Sequence, residues 1–247
     1  MGLYIEARIR AELDELWART QDPARHQRWD LRFTTIDYLP RAQGEPQRFR
    51  YATRVLPFLT VSGTGTAVGE AERPDGTRTS ALRFASPHPL SLIEEGSGYW
   101  RYVPEEDGVR FLTGYDYRPR WGAFGRAVDR ALVRPLMVWA TAWSFDRLRL
   151  WLERGITPER ALWNWLAELA VRAVVLTVAC VGIGTGPELG GHSAPLMFVI
   201  PQLLLVAACL ALFKAPLPCV PAARRCVRRA PARARAPRVL RALESPR

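Results

Sequence analysis

The sequence predicts an α+β fold with a curved, largely antiparallel sheet, followed by a transmembrane α-hairpin and a basic tail. Three observations predict it. Apolar residues alternate with period two near the start and again from Arg32 to Arg118, the spacing of strands. Helical spacing marks two short helices after the first strand and one long helix after the last. Finally, the 20 residues from Ala194 to Phe213 carry no charge, in a chain of formal net charge +11. At 247 residues the length suits one good domain plus a further segment.

Leu3, Ile5, Ala7 and Ile9 alternate with Tyr4, Glu6, Arg8 and Arg10, which reads as a strand with one wet face. Leu13, Leu16 and Trp17 then recur at helical spacing. Asp22-Pro23 sets a capping carboxylate before a proline at the first helical position, opening a second short helix that ends near Trp29. Further on, Phe49, Tyr51, Thr53 and Val55 fall on one face of a strand, opposite Arg48, Arg50 and Arg54. Threonines, valines and glycines of the next segment suit a strand that bends. Arg73–Thr77 and Glu105–Gly108 have turn composition. Between and after those turns, Leu82, Phe84, Trp100 and Tyr102 face in, followed by Phe111, Thr113, Tyr115 and Tyr117. Seven strands result, joined mostly by hairpins.

The long helix is predicted from Ala123 to Glu153, with Phe124, Val128, Leu132, Leu136, Trp139 and Trp143 as its apolar stripe. Pro135 either kinks it or splits it in two. Gly155 is a stop signal and Thr157-Pro158 a restart. The first domain therefore covers residues 1–155.

Ala194 to Phe213 reaches about 30 Å at 1.5 Å per residue, one bilayer core, and is predicted to span residues 194–213 despite Pro195 and Pro201. A first membrane helix is expected over residues 162–184, where Glu168 and Arg172, four apart, pair on one face. Each charge costs about 2.5–3.5 kcal/mol at a bilayer centre and much less near a helix end. Trp163 and Trp165 suit the interfacial belt, and residues 184–193 form the connecting loop. Residues 214–247 hold ten basic side chains and one acid, Glu244, whereas the loop holds only Glu188. By the positive-inside rule the chain is a multi-pass protein of the cytoplasmic membrane with both termini in the cytoplasm, its tail on anionic lipid. Pro216, Pro218, Pro221, Pro231 and Pro237 predict a tail without stable secondary structure.

The 25 aromatic residues (Trp 9, Tyr 7, Phe 9) exclude a wholly disordered chain. The first 17 residues contain no apolar run of a signal peptide. All four cysteines, Cys180, Cys209, Cys219 and Cys226, lie in the last third, and the Cys219/Cys226 gap is no zinc spacing, so no metal and no cofactor are expected. A nucleic-acid partner is not expected either, because the tail offers no aromatic residue for stacking on bases. Nucleophile elbows, Walker loops and zinc-protease motifs are absent. Gly63, Gly65 and Gly69 precede no helix, so they mark a bent strand rather than a nucleotide loop. His26, His88 and His192 are scattered and read as surface residues, His26 on a polar helix. The inward-facing Phe49, Tyr51, Thr53, Phe84, Trp100, Tyr102, Thr113, Tyr115 and Tyr117 are either an aromatic core or the lining of a cavity whose hydroxyls orient an apolar ligand. No inward carboxylate or histidine is evident among them, and no catalytic residue is assigned.

The order of one strand, two short helices, six strands and a long C-terminal helix is the helix-grip arrangement. In IEARIRAELDELWARTQDPARHQRW, GYWRYVPEEDGVRFLTGYDYRP and SFDRLRLWLERG, the chain resembles the SRPBCC/START-like superfamily, and within it the polyketide cyclase/dehydrase-type family. The resemblance covers Leu3 to Gly155. It implies a curved sheet gripping the long helix around an apolar cavity, with a hydrophobic small molecule or lipid as partner. Three functions follow as expectations: a membrane-anchored binder of such a ligand, a polyketide cyclase or aromatase, or a non-catalytic membrane interaction protein whose interior is filled by its own side chains. Everything after Gly155 departs from the family's usual single soluble domain.

Overall fold

The computed structural model describes residues 2–184 and 194–230. The predicted hairpin loop after Gly184 and the tail beyond Ala230 lie outside the described residues. The chain divides into two compact units: Met1–Pro158 together with the chain from Ala222 onward, and Glu159–Pro221.

The first unit opens with β1 (Leu3–Ile9), α1 (Leu13–Gln21) and α2 (Pro23–Trp29). Asp22 caps α2 by accepting the Ala24 N–H at 2.9 Å, with Pro23 at the first helical position, as its sequence predicts. Six strands follow: β2 (Thr35–Tyr38), β3 (Arg48–Leu56), β4 (Leu59–Glu72), β5 (Arg78–Ala85), β6 (Ile93–Glu105) and β7 (Gly108–Pro119). They form one seven-stranded antiparallel sheet in the order β1-β7-β6-β5-β4-β3-β2. Register shifts at Arg54/Leu56, Ala67/Gly69 and Ile93/Glu95 curve it. Glycines complete the curvature for a steric reason. Gly63 and Gly65 of β4 lie opposite Tyr51 and Phe49 of β3, and a Cβ there would fall 2.4 Å and 2.1 Å from those rings. The rings therefore lie across the neighbouring strand, which explains the glycine spacing without any nucleotide.

The long helix is continuous but not uniform. It comprises α3 (Gly122–Val128), a π-helical turn (Asp129–Val133) and α4 (Arg134–Arg154). Pro135 sits in the first turn of α4, where its missing N–H is tolerated, and the wider π turn before it absorbs the mismatch. Gly155 ends α4 in the left-handed conformation at φ +63°, its N–H on the Leu150 carbonyl. In the core, Phe145 of α4 stacks on Phe111 of β7 with ring centroids 4.4 Å apart, and Trp29 of α2 packs edge-on against Phe145. The predicted stripe is only partly buried. Trp143 is 1% exposed, but Phe124 is 69% and Leu132 62% exposed.

The described part of the tail departs from the expectation of an unstructured segment. From Ala222 the chain returns to the first unit through a 3-10 turn, Ala223–Arg225. Asp146 of α4, fully buried, accepts the Ala222 N–H at 2.7 Å and Arg225 Nη1 at 2.8 Å. The Cys226 thiol donates to the Ala142 carbonyl, and Val227 and Glu6 exchange two backbone hydrogen bonds of 2.9 Å at the open edge of β1. An exposed edge strand is costly, and so is a buried carboxylate oxygen without a donor, which Arg149 on Oδ1 leaves at Oδ2. One short strap satisfies both, which proline counting could not reveal.

The second unit contains most of α5 (Pro158–Gly184) and all of α6 (Ala194–Phe213), the helices that carry the segments expected over residues 162–184 and 194–213. Among the described residues α5 is long and apolar enough to cross a membrane; the part of α6 with described side chains, Val199–Phe213, is a shorter apolar helix. Glu168 and Arg172 pair as expected, but they also serve the hairpin. Arg172 Nη1 donates to the Ala211 carbonyl at 2.7 Å and Nη2 to that of Lys214 at 2.9 Å, while Glu168 accepts the Leu217 N–H at 3.0 Å. Arg172 thus caps the C-terminal end of α6, which favours a cation there. Farther along, a Cβ on Gly182 would meet Leu204 at 2.6 Å, so the two antiparallel helices approach closely.

Candidate functional site

The concave face of the sheet, α2 and the segment from Trp121 to Ala140 enclose a cavity of about 600 Å³. Seven of the nine residues read from the sequence as lining are on its wall: Phe49, Tyr51, Thr53, Phe84, Trp100, Thr113 and Tyr115. Tyr102 and Tyr117 are not. Tyr102 lies at the closed end of the sheet, sealed between Trp17 and Phe111, each with ring centroids 5.0 Å away. Its hydroxyl shares a 2.6 Å hydrogen bond with Thr20 and accepts from Gln21 at 3.0 Å, and burial pushes its pKa well up. The Tyr117 hydroxyl donates to Asp129, which also pairs with Arg134 at 3.6 Å, so it fastens the π turn. Burial and the Asp129 carboxylate raise its pKa too. Strand alternation gave both residues the inward side correctly, but it does not say where the cavity stops.

The largest departure from the sequence reading is a buried polar cluster on the cavity wall. His26, expected at the surface, is 9% exposed and lines the cavity. It stacks on Trp29 at 4.9 Å and meets Trp100 and Phe33 edge-on at 4.8 and 5.3 Å. Its Nε2 lies 3.1 Å from Oδ2 of Asp30, whose side chain is fully buried. Arg32 closes on the same carboxylate as a fork, Nε to Oδ1 at 2.9 Å and Nη2 to Oδ2 at 2.6 Å. Burial alone would raise the Asp30 pKa, but Arg32 and the hydrogen bonds from His26 and Arg32 hold it well below the usual carboxylate range. Burial lowers the Arg32 pKa, but Asp30 and Tyr115 together raise it more, so the guanidinium stays charged. For His26, burial outweighs the Asp30 contacts and lowers the pKa, which keeps the imidazole neutral near pH 7.

A neutral imidazole beside an ionised carboxylate carries its proton on Nε2 and its lone pair on Nδ1. Nδ1 makes no hydrogen bond among the described residues. The same wall holds Tyr115, whose hydroxyl shares a 3.1 Å hydrogen bond with Thr141 of α4 and whose ring lies 5.5 Å from the Arg32 guanidinium. Tyr51, with its pKa pushed up to about 12 by burial, keeps its phenol neutral. The arrangement offers an acceptor, a cation and several hydroxyls within an otherwise apolar surface. It can hold one polar group of an apolar molecule, and Nδ1 can accept a proton from one that is acidic enough. The sequence did contain a signal for the cluster: His26 and Asp30 are four apart, and Arg32 lies two beyond Asp30 at the end of a capped helix.

The rim is apolar and partly exposed, with Leu31, Leu90, Trp121 and Leu136 among the lining residues. Trp121 has φ 66°, the one positive value for a residue other than glycine among those described. Backbone strain of this kind collects at binding sites. Among the described residues no group of three or more His, Cys, Asp or Glu side chains could hold a metal ion.

No protein-family model matches the chain. Over 159 residues, 64% of its length, it is 51% identical to the uncharacterized membrane protein YndG of Bacillus subtilis (strain 168), and it spans 59% of that relative. Among solved structures it is similar to a STAR-related lipid transfer protein of Xanthomonas axonopodis, with 20% identity over 60% of this chain and 84% of that one and a TM-score of 0.46. It is also similar to the Zhui aromatase/cyclase of Streptomyces sp. R1128, with 15% identity over 63% and 97% and a TM-score of 0.47. The strand order, the paired short helices and the long closing helix make the first unit a helix-grip fold.

Proposed function

We propose that this chain is a membrane-anchored helix-grip protein that binds a mostly apolar small molecule or lipid at the cytoplasmic face of the membrane. The observation that carries the proposal is the cavity. At about 600 Å³ it has the volume of a small-molecule site, its wall is mainly aliphatic and aromatic, and a few polar groups converge at one place. An interior filled by its own side chains, the interaction-protein alternative, would leave no such space. The test is mass spectrometry of organic extracts from the purified full chain, against the chain carrying Tyr115→Arg and Trp100→Arg. A stoichiometric apolar compound lost from the folded double variant is expected. An empty wild-type chain that also takes up no added apolar probe refutes the proposal.

The anchor is an insertion in the sequence of the first unit. The chain leaves that unit after Pro158 and rejoins it at Ala222, where the strap docks on Asp146. The docked strap supports an even number of crossings, with both ends of the insertion on one side of the membrane. If α5 crosses, α6 crosses back. By the positive-inside rule the arginine-rich tail favours the cytoplasm as that side. A reporter fused after Arg247 is expected to be active only as a cytoplasmic fusion; activity on the far side refutes the two-crossing topology.

A second reading, an enzyme of the cyclase or aromatase type, is favoured by one feature, the Asp30–His26 pair on the cavity wall. Turnover of an added polyketide-like substrate that disappears in His26→Phe would support it.

A further inference from the structure

From Ala123 to Leu136, residues four apart form rows along the helix, and successive residues turn it by about 100°. Gly125 and Asp129 make the buried row, Asp129 being bonded to Tyr117 and Arg134. Ala123, Ala127 and Ala131, all exposed, lie opposite that row. The other two rows flank the alanines. One holds Phe124, Leu132 and Leu136, 69%, 62% and 54% exposed. The other holds Arg126 and Arg130, exposed and in no ion pair among the described residues. Asp129 is the only acid of the segment, so the solvent side is apolar and cationic throughout. The apolar row borders the cavity mouth, where Leu136, Trp121 and Leu90 are at once lining and exposed. Arg120 brings the last two together: its N–H donates to the Leu92 carbonyl at 2.6 Å and its Nε to that of Ser91 at 3.2 Å.

An exposed apolar row of this kind marks a contact surface, and its charge says with what. A second copy of the chain would bring the same arginine row and repel it. An anionic leaflet suits every row. Phenylalanine, leucines and alanines enter the boundary between headgroups and acyl chains, and the arginines along the edge reach lipid phosphates. Tryptophan, as at Trp121, favours that depth as well. A bilayer is also at hand. α5, long and apolar enough to cross one, begins at Pro158, whose carbonyl accepts Arg147 Nε at 2.8 Å. Arg147 lies about 20 Å along the helix from Leu132 at 1.5 Å per residue. Tethering at that distance keeps the surface near lipid, so a weak attraction of its own suffices. We propose that the outer side of Ala123–Leu136 docks on the anionic leaflet of the membrane that anchors the chain, with the cavity mouth opening onto the lipid. A ligand dissolved in the leaflet then enters past Trp121 and Leu136 without crossing water. This docking presupposes the membrane anchor of the proposed function and adds to it the surface that meets the lipid.

The test uses the full chain carrying Cys180→Ser, Cys209→Ser and Cys219→Ser, in which Cys226 is buried. A polarity-sensitive fluorophore is attached at Phe124→Cys or, in a second chain, at Leu132→Cys, both exposed positions. The reference label is at Glu106→Cys, in the β6–β7 turn at the other end of the sheet. Each chain is placed in nanodiscs of phosphatidylcholine with phosphatidylglycerol and brominated lipid. Both labels on the helix are expected to shift to the blue and to be quenched by the brominated lipid, and the Glu106→Cys label to do neither. Arg126→Gln/Arg130→Gln should lower the docked-to-undocked ratio by about thirtyfold, the effect of two arginines at an anionic surface. Labels that stay in water while the chain remains in the discs overturn the docking and leave the anchor intact. A blue shift without quenching means that protein covers the rows, and overturns it too. Quenching unaltered in Arg126→Gln/Arg130→Gln overturns the assignment to an anionic surface. A folded chain that does not enter the discs overturns the docking together with the anchor.

Discussion

Replacing Asp146 with alanine should release the strap while leaving the sheet in place. The carboxylate is fully buried and serves three donors: the Ala222 N–H at 2.7 Å, Arg225 Nη1 at 2.8 Å and Arg149 Nε at 2.7 Å. Removing one partner of a buried ion pair typically costs 3–5 kcal/mol, since the remaining charges lose their compensation. Two features hold the figure toward the lower end. Arg149 keeps Glu153 at 2.8 Å, and the Arg225 side chain is 26% exposed, so water recovers part of its solvation. A loss of about 3 kcal/mol in strap docking is expected. Cys226 provides the readout. In the docked strap its thiol is buried, donates to the Ala142 carbonyl and has its pKa pushed up to about 12 by burial, so it reacts only after release. In a chain carrying Cys180→Ser, Cys209→Ser and Cys219→Ser, the maleimide labelling rate should rise by roughly a hundredfold on Asp146→Ala, at 1.4 kcal/mol per factor of ten. Arg225→Ala, which removes one contact and spares the other two, should raise it by less. Circular dichroism distinguishes release from global unfolding. Equal labelling rates in wild type and Asp146→Ala would mean that Asp146 does not hold the strap, and would refute the reasoning.

The polar cluster makes stability depend on pH. His26 has a folded-state pKa below the ordinary 6.5, so the unfolded chain binds more protons on acidification, and the stability it contributes is complete above about pH 6.5 and declines below it. Apparent Tm in nanodiscs should fall between pH 7.5 and 5.5 in wild type and fall less in His26→Phe; parallel curves would contradict the assignment of a neutral buried imidazole. Asp30 adds a loss of the same sign at lower pH, beginning as pH drops through the ordinary carboxylate range. Gly125→Ala puts a Cβ 1.7 Å from the Arg120 carbonyl oxygen, so α3 must move. A destabilisation of about 1–3 kcal/mol, seen as a lower Tm, is expected, and an unchanged Tm would show that α3 adapts freely. In the second unit, Arg172→Leu strands Glu168 and frees the Ala211 and Lys214 carbonyls. It should lower resistance to denaturing detergent more than the double variant Glu168→Leu/Arg172→Leu, and the reverse order would exclude a clamp.

Legibility in the sequence followed the range of the forces involved. Periodicity and capping are local, and they located seven strands and both short helices. Pro135 illustrates the limit of a local rule. Proline forbids an undisturbed α-helix, but kink, break and π turn all satisfy that prohibition, and the choice fell to Asp129, which Tyr117 and Arg134 hold from outside the turn. His26 was misread for a related reason. The helix PARHQRW is polar by composition, yet its histidine is buried by Trp100, a residue of β6 some seventy positions away in sequence, and paired with Asp30 beyond the helix end. Tyr102 and Tyr117 were placed on the proper face and at the wrong depth, because period two fixes a side but not the extent of a cavity. The strap was invisible for the strongest reason: its binding partners, Glu6, Ala142 and Asp146, stand more than seventy residues away in sequence.

α4 explains why these features belong to one design. Its residues Leu136, Met137, Trp139 and Ala140 form part of the cavity wall, and Thr141 holds the Tyr115 hydroxyl. Ala142 beside it and Asp146 about a turn later hold the strap, and Ser144 accepts the Leu31 N–H, tying down the segment that carries Asp30 and Arg32. The end of the same helix is fixed by Arg149 and Glu153, the latter accepting the Arg10 N–H at 3.0 Å. From Thr141 to Glu153, then, α4 is secured from several directions. Ahead of it lie the π turn, α3 and the left-handed Trp121, with Phe124 and Leu132 exposed. The cavity is therefore bounded by a rigid half, which positions the polar cluster, and a less covered half, which carries the rim. A helix secured along its whole length would leave a ligand no easy entrance, and one loose throughout would let the Tyr115–Thr141 contact drift. Placing the π turn at the boundary separates the two requirements within one helix.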